Sequence, residues 1–176
     1  MARMKLVSVA EMTEEQKAQY DRFPSNLTRA LLLLDQRLAG ALPNLANSLR
    51  ASSLSPAIRE AVILRVASLH GSAYERMQHL DQARMVGWSD SDIAAIESAP
   101  ENLDDPALRV ILAFAAACVA GPNVPDDLFV GISRVLSDRD VATVILLVGH
   151  YMMVARFLGI LQIELDPQPD PWTNEH

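Results

Sequence analysis

Apolar residues recur along this chain at helical spacing, in blocks separated by Pro, Gly and capping residues, and no run alternates for long with period two. Thr13 with Gln16 makes a capping box, in which each end of the pair satisfies the other's backbone N–H, and opens a short helix to about 23. Pro24 and Ser25 break it. A helix over about 26–39 is expected next, across the four leucines at 31–34, and Pro43 then restarts a short helix to about 51. Two helices follow between Ser55 and Gly87, joined by a break at Gly71 and Ser72. Ser55 suits an N-cap, Pro56 the first helical position and Gly87 a left-handed stop. Ser89 with Asp92 repeats the capping box and starts a helix to about 98. The loop PENLDDP leads to an almost wholly apolar helix over 107–120, ended by Gly121 and Pro122. A modest amphipathic helix spans 126–136, and Ser137 with Asp140 caps the longest helix, about 138–163.

The first twelve residues read as an irregular arm, and the end DPQPDPWTNEH, with its three prolines, as an extended or mobile tail. No Asn-Gly or Asp-Gly hairpin signal occurs. The expected fold is all-α, one domain over 1–176 with its core motif at 55–98.

The stretch 141–163 has the length of a bilayer span, on the order of 20 residues. His150 and Arg156 stand in its middle, however, and insertion of a charge such as Arg costs roughly 2.5–3.5 kcal/mol there. A helix buried in a bundle or an oligomer has the same pattern, and no membrane partner is expected. Composition narrows the picture further. The chain has 176 residues, enough for one real core, and is half hydrophobic but only 5% aromatic, with Ala and Leu favouring helices. A net charge of -7 argues against a nucleic-acid partner, which normally meets a basic surface. The single cysteine, Cys118, permits neither an intrachain disulfide nor a CxxC pair, and its small apolar neighbours mark it as a buried hydrophobe. The start turns acidic before any apolar stretch of signal length, so the expected compartment is the cytoplasm.

Candidate chemistry concentrates at 55–87, where Glu60, Arg65, Tyr74, Glu75, Gln78 and His79 interrupt an apolar background. Glu60 and Arg65 have apolar helical neighbours, and buried charge is costly unless paired. Each therefore calls for a partner, either in a structural ion pair or in a site. Glu75 and His79 lie four apart and share a helix face. A carboxylate beside an imidazole orients the ring and suits acid–base work near neutral pH, although an exposed surface pair has the same spacing. Glu60, His70 or His150 would supply a third metal ligand, but neither HxxxH nor HxxEH occurs and no metal is expected. His150 and Arg156 are single polar groups on an apolar helix, each satisfied in the core or lining a pocket, Arg156 with an affinity for anions.

The run REAVILRVASLHGSAYERMQHLDQARMVGWSDSDIAAI resembles the carboxymuconolactone decarboxylase family, which includes the alkylhydroperoxidase D-like proteins. The likeness rests on Arg59-Glu60 opening an apolar helix, on Gly71-Ser72, Tyr74-Glu75, His79 and Ala83, and on the Gly87-Trp88-Ser89 stop. GHYMMVARFLGILQIELD looks like the closing helix of longer members. The resemblance implies an all-helical subunit assembled as a trimer or hexamer, with a pocket near the subunit interface. The peroxidase branch carries a CxxC pair between a relay Glu and a relay His. Glu60 and His79 fall on those relay positions, Ser72 and Glu75 fall on the cysteines, and Tyr74 on the intervening His. With both thiols missing, thiol peroxidase chemistry is rejected. The decarboxylase branch also lacks the cysteines and has a Glu four before its His, as Glu75 and His79 do here.

By that resemblance the chain is expected to be a cofactor-free lyase or related isomerase of aromatic-compound degradation, acting on a small carboxylated lactone or cyclic oxo acid. His79 is the expected general acid, Glu75 or Glu60 its orienting partner and Tyr74 a hydrogen-bond donor. Arg65, His150 and Arg156 are expected to bind the anionic substrate. The alternative is a non-catalytic oligomer that binds a small molecule or a partner protein.

Overall fold

The computed structural model describes residues 2–167; the expected tail at 167–176 lies outside the described residues except for Pro167. Among the described residues nine α-helices follow in order: α1 Glu14–Arg22, α2 Asn26–Leu31, α3 Gln36–Arg50, α4 Pro56–Leu69, α5 Ala73–Met85, α6 Asp90–Ser98, α7 Pro106–Ala120, α8 Asp126–Val135 and α9 Asp138–Leu161. Short 3-10 turns stand at Val9–Glu11 and Pro100–Asn102, and no strand occurs among the described residues. The fold is all-α.

Local capping chemistry sets most boundaries. Both expected capping boxes form, Thr13 with Gln16 and Ser89 with Asp92, and the Ser137 hydroxyl accepts the Asp140 N–H. Ser55 occupies the cap of α4 without a side-chain bond, leaving Pro56 to shape that start. Gly71 (φ 61°) and Gly87 (φ 104°) end α4 and α5 in the left-handed region. At each stop the next residue reaches back five positions: the Ser72 N–H donates to the Ala67 carbonyl at 2.8 Å, and that of Trp88 to the Ala83 carbonyl at 3.1 Å. This is the Schellman arrangement, which favours glycine because it lacks a Cβ.

The expected break at Pro43 is a correction. The chain turns earlier, where Leu33 and Leu34 donate to the carbonyls of Ala30 and Leu31, and Asp35 caps α3 by accepting the Leu38 N–H at 3.1 Å. Pro43 then lies inside α3, where a proline loses a ladder bond and costs about 3 kcal/mol. An aspartate cap was the stronger signal, and the apolar run at 31–34 ends a helix instead of filling one.

Helix α4 is the centre. Ala61, Val62, Ile63, Leu64, Val66 and Ala67 are all buried, so it is apolar on every side and α5, α6, α7 and α9 pack around it. The main core joins these residues to Ile93 and Ile96 of α6, Ile111, Leu112 and Phe114 of α7, Ile132 of α8, and Val144 and Leu147 of α9. A smaller cluster of Ala30, Tyr74, Val154, Leu158 and Ile163 seals α2, α5 and the chain after α9 together. Helix α9 is long and apolar enough to cross a membrane, with 44% of its most apolar window buried within the fold. Its Leu146, Met153 and Ile160, seven apart, are exposed.

Candidate active site

Helices α4 and α5 are joined by the three-residue turn His70, Gly71 and Ser72 and fastened at the other end, where the Trp88 indole N–H donates to the Ala57 carbonyl at 2.9 Å. The two therefore run antiparallel and in fixed register, which sets Glu60 of α4 opposite His79 of α5. Glu60 is 1% exposed, and its Oε2 lies 2.7 Å from His79 Nδ1. Its Oε1 accepts the Arg59 Nε–H at 3.1 Å, and Arg59 Nη1 donates onward to the Arg50 carbonyl at the end of α3. Burial by itself would raise the Glu60 pKa, but the His79 hydrogen bond and charge, together with Arg59, hold it below the ordinary carboxylate value.

With Nδ1 engaged by Glu60, His79 has Nε2 left for chemistry. Glu75 Oε2 lies 3.8 Å from that nitrogen, beyond hydrogen-bond length but within ion-pair range. Glu75 is buried, which pushes its pKa up to about 7 against the lowering pull of His79. Tyr151 of α9 meets the His79 ring edge-on, centroids 5.1 Å apart, and His150 meets Tyr151 the same way at 5.0 Å. His150 is buried with Nδ1 unpartnered among the described residues. Burial, reinforced by the His79 charge, brings its pKa down to about 4.

These groups open onto a cavity of about 290 Å³. Helices α5 and α9 give it a polar wall that includes Glu75, Gln78, His79, His150 and Tyr151. Helices α2 and α3 give it an apolar one through Leu27, Leu31, Leu42 and Pro43, and Arg22 and Arg50 complete the lining. A space of this size suits a small ring with polar arms. No cluster of three or more His, Cys, Asp or Glu side chains among the described residues is placed to hold a metal ion.

Of the residues expected from sequence, Glu60, Glu75, His79 and His150 come together here. Tyr74 does not line the cavity: its hydroxyl donates to Asp166 Oδ2 at 2.6 Å and accepts the Leu27 N–H at 3.0 Å. Arg65 points away to α6, where Nη1 donates to the Glu97 carbonyl at 2.8 Å. Arg156 is exposed and acts electrostatically on His70. Neither arginine lines the cavity, because α4 and α9 present those positions on faces turned from it. Sequence reasoning missed Arg22, Arg50 and Tyr151. Tyr151 adjoins His150 in GHYMM and was open to notice; the arginines end α1 and α3, and no local pattern marks a helix end as part of a site.

The all-helical fold is similar to that of alkylhydroperoxidase D-like structures. Residues 36–117 match the model of the carboxymuconolactone decarboxylase family. The fold is similar to the alkylhydroperoxidase AhpD core of an uncharacterized peroxidase-related protein from Ralstonia eutropha JMP134. There the TM-score is 0.81 at 14% identity, covering 94% of this chain and 92% of that one. It is also similar to the debrominase Bmp8 in complex with 2,3,4-tribromopyrrole, with TM-score 0.79, 14% identity and 94% of each chain covered. A protein of Agrobacterium tumefaciens whose function is unknown matches with TM-score 0.67 at 21% identity, over 73% of this chain and 90% of that one. A search of curated proteins finds no match.

Proposed function

We propose that this protein is a cofactor-free carboxy-lyase, resembling 4-carboxymuconolactone decarboxylase, acting on a small carboxylated lactone or cyclic oxo acid. The observation that carries this reading is His79 itself, clamped at Nδ1 by buried Glu60 with Nε2 left to the cavity beside Glu75. In the reaction the bond to the substrate carboxylate breaks and carbon dioxide leaves. The electron pair moves into the conjugated ring as a dienolate, and a proton from His79 Nε2 is delivered to carbon. Glu60 stabilises the protonated imidazole before that transfer, as a buried carboxylate partner does. Glu75, with a pKa of about 7, then returns a proton to Nε2 and recovers its own from solvent. Overall one proton is consumed and one carbon dioxide released.

The test is carbon dioxide release from 4-carboxymuconolactone by the purified protein, with His79→Ala alongside. Release by the wild type and its loss in the variant by about 10²–10⁴-fold is expected, the usual worth of a positioned acid–base group. Equal release by both would remove His79 from the chemistry. The subunit is proposed to work as a homo-oligomer, which the exposed apolar row Leu146, Met153 and Ile160 on α9 supports and light scattering checks.

A further inference from the structure

The acid–base cluster accounts for the proton but not for the substrate's negative charge. Its own cation, Arg59, is spent on Glu60 and on a backbone carbonyl. The two other cations of the cavity are Arg22, at the end of α1, and Arg50, at the end of α3. Neither guanidinium has a hydrogen-bond or ion-pair partner among the described residues, whereas those of Arg29, Arg65, Arg76, Arg84 and Arg109 do. Both side chains are exposed at the rim and line the same space as His79. The position of Arg50 is fixed from below, since its carbonyl accepts from Arg59 Nη1 at 3.1 Å. Its charge reaches inward: burial raises the Tyr151 phenol pKa, and Arg50 is among the groups that pull it back down. Tyr151 is the ring that packs against His79. An arginine fork pairs with a carboxylate through two parallel N–H donors, a geometry lysine cannot supply.

We propose that Arg50, with Arg22 as the second cation, is the carboxylate-binding subsite of this cavity. The ligand is then a small monocyclic carboxylate, its ring against Leu27, Leu31 and Leu42 and its reacting carbon toward His79. The assignment rests on the acid–base reading above for the reacting end only, and it places the anion on arginines other than Arg65 and Arg156.

Titration calorimetry of the full chain with benzoate, and with neutral benzamide as its isostere, tests it. Wild-type protein is expected to prefer benzoate, and Arg50→Gln to lose about tenfold to a hundredfold in benzoate affinity with no change toward benzamide. Arg50→Lys retains part of the preference, Arg22→Gln loses less, and Arg65→Gln and Arg156→Gln leave it intact. Because Arg50 is exposed and uses its backbone carbonyl, not its side chain, to hold Arg59, the variants fold; equal thermal midpoints check that. No benzoate preference in the wild type, or an undiminished one in Arg50→Gln, overturns the subsite. His79→Ala separates the two readings. If it still binds benzoate while the wild type releases no carbon dioxide, the decarboxylase falls and the subsite stands. If carbon dioxide release is normal in Arg50→Gln, the subsite falls and the decarboxylase stands.

Discussion

Helix α5 contributes to two carboxylate clusters, and their contrast shows how a fully hydrogen-bonded polar knot differs from the one proposed to react. At the first, Asp166 accepts from three donors: the Asn26 N–H, the Tyr74 hydroxyl and the Gln78 amide, each at 2.6 Å. The Asn26 side chain adds bonds to the carbonyls of Glu164 and Leu165, so the chain after α9 is tied to α2 and α5. At the second, one residue along from Tyr74, Glu75 is more deeply buried yet accepts no hydrogen bond among the described residues, and meets only His79 Nε2 at 3.8 Å. Asp166 is partly exposed and fully employed; Glu75 is enclosed and idle. A carboxyl kept from water without donors favours its neutral form, which lets it hold and release a proton near pH 7. Satisfied groups fix the wall, and the unsatisfied one is available for chemistry.

The largest expected effect comes from removing the acceptor common to His79 and Arg59. Glu60→Ala leaves the Arg59 charge buried without its partner and is expected to cost about 3–5 kcal/mol in denaturant unfolding, with turnover lost. Glu60→Gln, which keeps the shape, separates the lost charge from the lost volume.

Glu75→Gln is expected to act with the opposite sign. Because the Glu75 pKa is raised from 4.5 to about 7, its contribution to stability is present below pH 4.5 and is lost as pH rises through about 7. Above that pH the Gln variant should therefore exceed the wild type by up to roughly 3 kcal/mol while turnover falls. A destabilised Gln variant at pH 8.5 would end the comparison drawn above.

Asp166→Asn replaces an acceptor of three bonds by a group that brings its own donors, and is expected to cost about 1–3 kcal/mol. Its kcat, measured on the folded fraction, should change far less than that of Glu75→Gln.

A finer test uses His150, whose pKa is lowered from 6.5 to about 4, so that stability falls as pH drops through that interval. Glu75 acts in the opposite sense over 4.5–7 and by a similar amount. Around them stand His79 from α5, Glu60 and Arg59 from α4, Tyr151 from α9 and Arg50 from α3. Wild-type stability should thus be nearly level between pH 6.5 and 4.5, and Glu75→Gln should uncover a fall of roughly 3 kcal/mol on acidification. Chemical denaturation across that range reads the difference directly.

Much of the helical order was legible because it is local. Capping boxes, prolines at first positions and the glycine stops act within a few residues, so Thr13, Ser89, Gly71 and Gly87 mark their own boundaries. The reading failed at 32–43 because Asp35 and Pro43 offered competing local signals, and the Asp35 cap set the boundary. Within the site, the pairing of Glu75 with His79 followed from a spacing of four, and its closeness is seen in the structure. That Glu60 takes Nδ1 from nineteen positions away, that Tyr74 turns to Asp166, and that Arg50 lines the cavity while Arg65 does not, had no local mark.

What the sequence by itself determined is an all-helical chain whose candidate residues Glu60, Glu75 and His79 lie on two successive helices, because periodicity, caps and i,i+4 spacing are short-range. Only the tertiary structure decided which nitrogen of His79 is held, which carboxyl is left without donors and which cations line the cavity. Those outcomes depend on helix register and facing, set by burial around α4 and by the Trp88 bond to Ala57, and burial is a property of the assembled core.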